Sequence, residues 1–479
     1  MNCKKIHIIG IGGTGMNGIA QLAAHAGYTV SGSDRACGLS QIVGQASLYS
    51  ESLCSSNGQN YTRSRIREAR PTTQPNDIFQ TLKNLGIEIF PQDGSGITAD
   101  TNAVVYSTAI ESDNPDIQQS NLLGIPLLHR ADMLAKLCEG KEVIAVAGTA
   151  GKSTVTGLLG WIFQCLELDP TVYCGAPVLN WKQPDSIVGQ ASLYSESLCS
   201  SAESGNTRSL REARPTTNIN MQAGNVRHGT GPWIIEADES DRSFLKFHPH
   251  HAIITNIAED HFSLNELHQL FAQFESQVSG VVIKHPSSLP AFHSPLLGKH
   301  NAENIGNALA LCKTLGLDMQ KCIEAVQSFK GIERRLERHG SNVIDDFAHS
   351  PVKIAAALEA VSGEFPAFSA YWRPHGYTPL FQGLEAFVEC FATFSHAHPV
   401  CKFFILPVYF AGGTVNIKIT SEQFVEKLTA AGVPAEFVTD YNALEMRLAK
   451  EGLPVLGMGA RDPELPLFAK RLAAKMNMP

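Results

Sequence analysis

The stretch 143–156 leaves this chain little freedom in what it can fold into. Val143-Ile144-Ala145-Val146-Ala147 is a run of small and β-branched apolar residues, the pattern of a strand buried on both faces of a parallel sheet. Gly148-Thr149-Ala150-Gly151-Lys152-Ser153-Thr154 follows as a glycine turn, and Leu158, Leu159, Ile162 and Phe163 then recur at helical spacing. Strand, glycine turn, Lys-Ser and helix together make a phosphate cradle. Backbone N–H groups at the helix start point at phosphate oxygens, Lys152 adds a cation, and the Ser153 hydroxyl can ligate Mg²⁺. The motif is shorter than G-x-x-x-x-G-K-[ST], because Val146 stands at the position of its first glycine. A tight strand–helix turn with a surface lysine is the bland alternative.

A chain of 479 residues suggests three domains, at about 150 residues for each. With 43% hydrophobic and 18% charged residues, it has the composition of an ordinary soluble enzyme. The net charge of −8 argues against nucleic acid or an anionic membrane as a bulk partner. The 11 cysteines are scattered, without C-x-x-C or zinc spacing, which points to a reducing compartment. No apolar run reaches transmembrane length and no signal-type segment opens the chain, so the expected location is the cytoplasm.

A second glycine loop lies near the start. The strand Ile6 to Ile9 runs into Gly10-Ile11-Gly12-Gly13-Thr14-Gly15, and a helix pattern follows through Ile19, Ala20, Leu22 and Ala23. This is G-x-G-x-x-G in its proper context. A strand around Tyr28-Thr29-Val30 ends in Ser31-Gly32-Ser33-Asp34, an acidic residue at the distance that commonly meets a ribose. These residues alone would suit an NAD-dependent dehydrogenase, or any diphosphate ligand such as a UDP-sugar. The segment Ile42 to Thr73 reappears almost intact as Ile187 to Thr217, each copy interrupting an αβ pattern. Both are expected to be inserted surface loops rather than a solenoid repeat.

Further strands are expected at Ile87 to Phe90, Ala103 to Tyr106, Pro232 to Ile235, Ala252 to Ile257, Asn342 to Ile344, Phe368 to Trp372, Phe403 to Leu406 and Pro454 to Leu456. Polar residues collect after them: Ser107-Thr108, Glu236-Ala237-Asp238-Glu239-Ser240-Asp241, Glu259-Asp260-His261, Asp345-Asp346 and Arg373-Pro374-His375. In open α/β sheets, ligands bind at these carboxyl ends. Gly298-Lys299-His300-Asn301 opens a helix, and Arg334-Arg335 precedes the third unit.

In this order the motifs resemble the Mur ligases, over nearly the whole chain except the two repeated segments. The resemblance implies an α/β protein of three domains: a Rossmann-like UDP-sugar-binding domain (1–138), a P-loop ATPase-like domain (139–333) and a Rossmann-like amino-acid-binding domain (334–479). It also implies an ATP-dependent ligase that phosphorylates the carboxylate of UDP-N-acetylmuramate and joins it to L-alanine as an amide. By the same resemblance, Gly148, Thr149, Ala150, Gly151, Lys152, Ser153 and Thr154 hold the ATP phosphates, while His300, Asn301 and Asn304 hold the adenine. Ser153, Glu236 and His261 would bind Mg²⁺. Lys152, His261, Arg335 and Asp346 would be catalytic, with Arg335 also reaching ATP. Gly12, Gly13, Thr14, Gly15, Met16, Ser33, Asp34, Ser107, Thr108 and Arg227 would serve the UDP-sugar, and His349, His375 and Tyr377 the amino acid.

The chain departs from the family pattern at several points. Position 150 is Ala rather than His, position 153 is Ser rather than Thr, and His349-Ser350-Pro351 stands for His-His-Pro. The segment between His261 and Leu296 is short. Gly376 and Pro379 stand where the arginines for the amino-acid carboxylate are expected. A recovered peptide is therefore an alternative acceptor, and a non-catalytic nucleotide-binding relative is the alternative from another class. The joint presence of Lys152, Glu236, His261, Arg335 and Asp346 argues against an idle site, and a dehydrogenase gives the second phosphate loop no task. Oligomeric state stays open.

Overall fold

The computed structural model describes residues 4–37, 76–181, 224–258, 262–284, 286, 292–399, 401–410 and 418–476. Both repeated segments, 42–73 and 187–217, lie outside the described residues, as does His261. The described residues form an α/β structure with three sheets.

The first sheet is parallel throughout, with β1 (Lys5–Ile9), β2 (Thr29–Ser33), β3 (Glu88–Phe90), β4 (Ala103–Tyr106) and β5 (Leu127–His129) in the order β3-β2-β1-β4-β5. The direction of winding reverses between β1 and β4, which opens a crevice at their carboxyl ends. Strand β2, expected around Tyr28-Thr29-Val30, runs on through Ser31-Gly32-Ser33. Gly32 is there because Ile11 packs against its backbone, and a Cβ would collide with the Ile11 side chain.

The second sheet contains β6 (Val143–Ala147), β7 (Thr171–Tyr173), β8 (Val226–Arg227), β9 (Trp233–Glu236), β10 (His251–Ile254) and β11 (Val282–Ile283). Its order is β11-β10-β6-β9-β7-β8, with only β8 antiparallel to its neighbour. Alternate residues of β6 enter different cores. Val143, Ala145 and Ala147 join the cluster shared with the first sheet, whereas Ile144 and Val146 pack under the helix Lys152–Cys165. That explains the unbroken apolar run: both faces are covered. The shared cluster runs from Ile19, Met133 and Leu137 to Tyr173, Val226 and Phe271, so the first two sheets are joined by apolar packing.

The third sheet has β12 (Glu337–His339), β13 (Val343–Asp346), β14 (Ser369–Arg373), β15 (Lys402–Ile405), β16 (Ala435–Phe437) and β17 (Val455–Gly459) in the order β12-β13-β17-β14-β15-β16. Only β12 is antiparallel. Trp372 packs with Phe387 and Phe391 on one face, and its neighbour Tyr371 packs with Phe468 on the other. Burying one such side chain contributes roughly 1.5–3 kcal/mol. Among the described residues no helix is long and apolar enough to cross a membrane.

Candidate functional site

β6 lies between β10 and β9, so the loop after Ala147 emerges at the carboxyl edge of the second sheet. Gly148 has φ +126° and Gly151 φ +84°; a Cβ at the first would strike Thr255 Oγ1 and at the second Asn304 Oδ1. Glycine is required at both. The loop is clipped to the segment after β10. Thr149 N donates to Asn256 O (3.1 Å) and Ala150 N to Asn256 Oδ1 (3.0 Å). Thr149 and Ala150 thus spend their amides on shaping the turn. The first turn of the helix Lys152–Cys165 has N–H groups without intrahelical partners, and these are the donors for an anion.

Lys152 Nζ donates to Gly148 O at 2.8 Å and to Glu239 Oε2 at 2.6 Å, and lies 3.8 Å from Asp238 Oδ1. Glu239 is 4% exposed, and burial pushes its carboxyl above the ordinary range. In the sequence Glu239 is one member of the acidic run 236–241, with nothing to mark it out. Only the fold singles it out from four acids in a row of six. Ser153 Oγ donates to Glu236 Oε1 at 2.9 Å, and the other carboxylate oxygen accepts from Gly175 N at 2.6 Å. Two hard oxygen donors stand side by side, the chemistry that suits Mg²⁺.

A cavity of about 480 Å³ joins this loop to the third sheet. Lys152, Ser153, Thr154, Glu236, His300, Asn301 and Asn304 line it from the central unit, and Arg335, Asp346 and Lys353 from the other side. Thr255, Asn256 and Glu303 also line it, and none was proposed from sequence. The polar pair Thr255-Asn256 closing an apolar strand was the signal for two of them. Asn301 Nδ2 donates to Leu297 O (2.8 Å) and Asn304 Nδ2 to Asn301 Oδ1 (3.1 Å), so the asparagines hold one another in place.

Asp345 and Asp346 end β13 and point to opposite faces. Asp345 is fully buried against Arg334 at 2.9 Å. Asp346 meets the cavity and accepts from Leu336 N and Ala348 N, each at 2.8 Å. Desolvation by the protein around it raises its pKa to about 6, although Arg335 acts in the opposite direction. The folded state therefore binds this proton at a pH where the unfolded chain has released it. Stability from this group is highest below about pH 4, falls as pH rises to about 6, and is level above that. The unfolding free energy of wild type minus that of Asp346→Asn is expected to fall by roughly 2–3 kcal/mol between pH 4 and 7. Urea unfolding across that range measures it, and a flat difference would exclude the raised carboxyl.

The glycine loop after β1 faces the central unit. Gly12 N donates to Asp34 Oδ2 (2.9 Å), Tyr173 Oη to Gly15 O (3.1 Å) and Asn225 Nδ2 to Thr14 O (2.9 Å). Gly13 and Thr14 are exposed, and Ser107 and Thr108 follow β4 across the crevice. Arg130, which sequence reasoning left without a role, lies 3.3 Å from both Asp238 and Asp241. Asp238 thus touches Lys152 on one side and Arg130 beside the glycine loop on the other.

Three residues expected at the UDP-sugar are placed differently. Met16 is 5% exposed and its side chain belongs to the apolar core. Ser33 is fully buried with its hydroxyl on Asp116, whose other oxygen accepts from Gly94 N. Arg227 is spent on Asp169 (2.7 Å), Gln164 and the Pro170 carbonyl, before the amino end of β7, whereas Glu236 meets its carboxyl end. A motif position does not reveal which way a side chain turns.

His349 and His375 come together, their rings 5.1 Å apart, and Tyr377 lies near Phe410. His349 Nδ1 is 2.9 Å from Phe347 O, and burial lowers its pKa to about 4, so the ring is neutral at neutral pH. His261 lies outside the described residues.

A family model described as "Mur ligase family, catalytic domain" matches residues 5–41 and 73–142, the gap coinciding with the first repeated segment. UDP-N-acetylmuramate–L-alanine ligase of Thermosynechococcus vestitus is 28% identical over 82% of this chain and 80% of its own length. The enzyme of that name from Burkholderia multivorans is 28% identical over 95% of each chain. Among solved structures, UDP-N-acetylmuramate–alanine ligase from Thermotoga maritima superposes with a TM-score of 0.67 at 22% identity, covering 98% of each chain. A murein peptide ligase from Psychrobacter arcticus superposes with a TM-score of 0.56 at 18% identity, covering 99% of each. A glycine loop after β1, a phosphate loop after β6 and a third sheet completing the cavity stand in a chain that is similar from end to end to Mur ligases, most of all to the UDP-N-acetylmuramate–L-alanine ligases.

Proposed function

We propose that the chain is an ATP-dependent ligase that joins UDP-N-acetylmuramate to L-alanine through an acyl phosphate, in the cytoplasm, as a step of peptidoglycan precursor synthesis. The observation that carries this reading is the single cavity in which the Lys152 loop meets Arg335 and Asp346. A carboxylate does not acylate an amine at neutral pH, because oxide is a poor leaving group. Phosphorylation by the γ-phosphoryl of ATP supplies a good one, and the amine then displaces phosphate through a tetrahedral intermediate. Positioning and charge neutralisation do most of this work.

In this reading the domains are 1–138, 139–333 and 334–479, each holding one sheet. The helix N-terminus at 151–154 and Lys152 receive the ATP phosphates, and Lys152 exchanges Glu239 for the γ-phosphate. Ser153 and Glu236, with His261, would hold Mg²⁺, which supplies charge neutralisation at the phosphates. His300, Asn301 and Asn304 form the wall for the base, and Arg335 reaches the phosphates from the third unit. Gly12 to Gly15, Asp34, Ser107 and Thr108 line the crevice for the UDP part. His349, His375 and Tyr377 lie where the acceptor would enter.

Gly376 and Pro379 at the positions expected to be arginine favour a second reading, in which a recovered peptide is the acceptor. ATP-dependent phosphate release with UDP-N-acetylmuramate, run against L-alanine, other amino acids and a tripeptide, separates the two. L-Alanine is expected to give the highest kcat/KM. Absence of phosphate release with every acceptor would overturn the ligase reading.

A further inference from the structure

β17 lies between β13 and β14, so the loops after these three strands open side by side at one edge of the third sheet. The first loop brings His349 and the last brings His375. The middle loop brings Arg461, two residues beyond Gly459, which pairs with Arg373. Arg461 has φ +64°, a left-handed conformation that disfavours any residue with a Cβ. Its side chain is exposed and makes no ion pair or hydrogen bond among the described residues. The adjacent carboxylate offers it nothing, because Asp462 is buried and held by Arg373 and Tyr441.

The surroundings of the two imidazoles are cationic. Burial depresses His375, and Arg461 and Lys353 depress it further; Lys353 and Arg335 act the same way on His349. Among the described residues, the main electrostatic influences on both rings are cationic and none of them is a carboxylate. Neutral imidazoles beside arginine and lysine, with Asp462 already held by Arg373 and Tyr441, are arranged to receive an anion.

We propose that Arg461 binds the carboxylate of the acceptor through its guanidinium fork, the task that Gly376 and Pro379 cannot perform. The identity of the anion as an acceptor's carboxylate rests on the ligase reading above; the exposed cationic fork does not.

The test uses the full chain and two variants. Arg461→Gly suits the left-handed backbone and should fold at least as well as wild type. Arg461→Lys keeps the charge and loses the fork. Phosphate release is measured with L-alanine, L-alaninamide, a tripeptide and its C-terminal amide. Arg461→Gly is expected to raise the KM of the acid acceptor by about 10- to 100-fold, with Arg461→Lys between. The KM values of the amide, ATP and UDP-N-acetylmuramate should not change. Preference for L-alanine or for tripeptide acid identifies which carboxylate is held. An equal effect on acid and amide, or no effect on either, overturns the proposal. Ligand-observed NMR with the same four compounds keeps the site testable if no acceptor turns over. Acid binding that needs Arg461 then supports the anion site while the ligase reading falls, and equal binding by Arg461→Gly, or no acid binding by wild type, overturns both.

Discussion

Lys152→Met is expected to lower ATP-dependent phosphate release by about a thousandfold or more, while leaving affinity for UDP-N-acetylmuramate within about twofold. The ammonium sits at the mouth of the phosphate loop, 2.8 Å from Gly148 O and 2.6 Å from Glu239 Oε2. In the proposed reading it is the cation that receives the γ-phosphate. The same substitution also has a structural consequence that must be separated from the chemical one. The Glu239 side chain is 5% exposed, and without Lys152 it is a buried carboxylate with no cation. Removing one partner of such a pair costs about 3–5 kcal/mol. Because burial already raises the Glu239 pKa, protonation offers it a way out and limits the loss. Adding Glu239→Gln to Lys152→Met should therefore recover most of the stability and none of the turnover. Phosphate release and urea unfolding of the single and double variants read the two effects apart. Wild-type phosphate release by Lys152→Met would remove the loop from the mechanism.

The two glycine loops were legible in the sequence because each needs a strand before it, a helix after it and glycines where a Cβ collides. Strand β6 was legible for a different reason: burial on both faces leaves no polar alternation to obscure it. Several short strands were not. Thr171–Tyr173, Val226–Arg227 and Ala435–Phe437 have three residues or fewer, and their pairing depends on a neighbour rather than on a pattern of their own. Side-chain direction was the other gap. Asp345 and Asp346 read as one acidic pair, yet strand alternation gives the first to Arg334 and the second to the cavity. Ser33, Met16 and Arg227 share that ambiguity from the other side: residue types suited to a ligand, turned into the protein. Arg130 and Glu239 act across elements distant in sequence, and no local spacing records such a contact.

Arg335 tests whether the third unit acts in the chemistry or only covers it. Its neighbours Arg334 and Leu336 are both left-handed, with φ of +55° and +51°. Each such residue costs of order 1–3 kcal/mol. The bonds around them hold the kink: Arg334 to Asp345 (2.9 Å) and Gly459 O (2.7 Å), Phe347 N to Arg334 O (2.8 Å), and Leu336 N to Asp346 (2.8 Å). Arg335 is left to stack over Phe347 at 5.4 Å and to line the cavity. A backbone held this tightly fixes where the guanidinium starts, so little ordering remains when it meets phosphate charge. Arg335→Ala is expected to reduce kcat by about 100- to 1000-fold, with UDP-N-acetylmuramate affinity unchanged within about twofold. Phe347→Leu, which keeps the charge and removes the aromatic face, should cost about tenfold in kcat through looser positioning. Single-turnover phosphate release and UDP-sugar titration measure the two quantities on the same preparations. If Arg335→Ala weakened sugar binding as much as turnover, the residue would be holding the units together rather than acting on the phosphate. An effect on kcat alone, graded from Phe347→Leu to Arg335→Ala, requires that the third unit bring a charge to the reacting phosphoryl group.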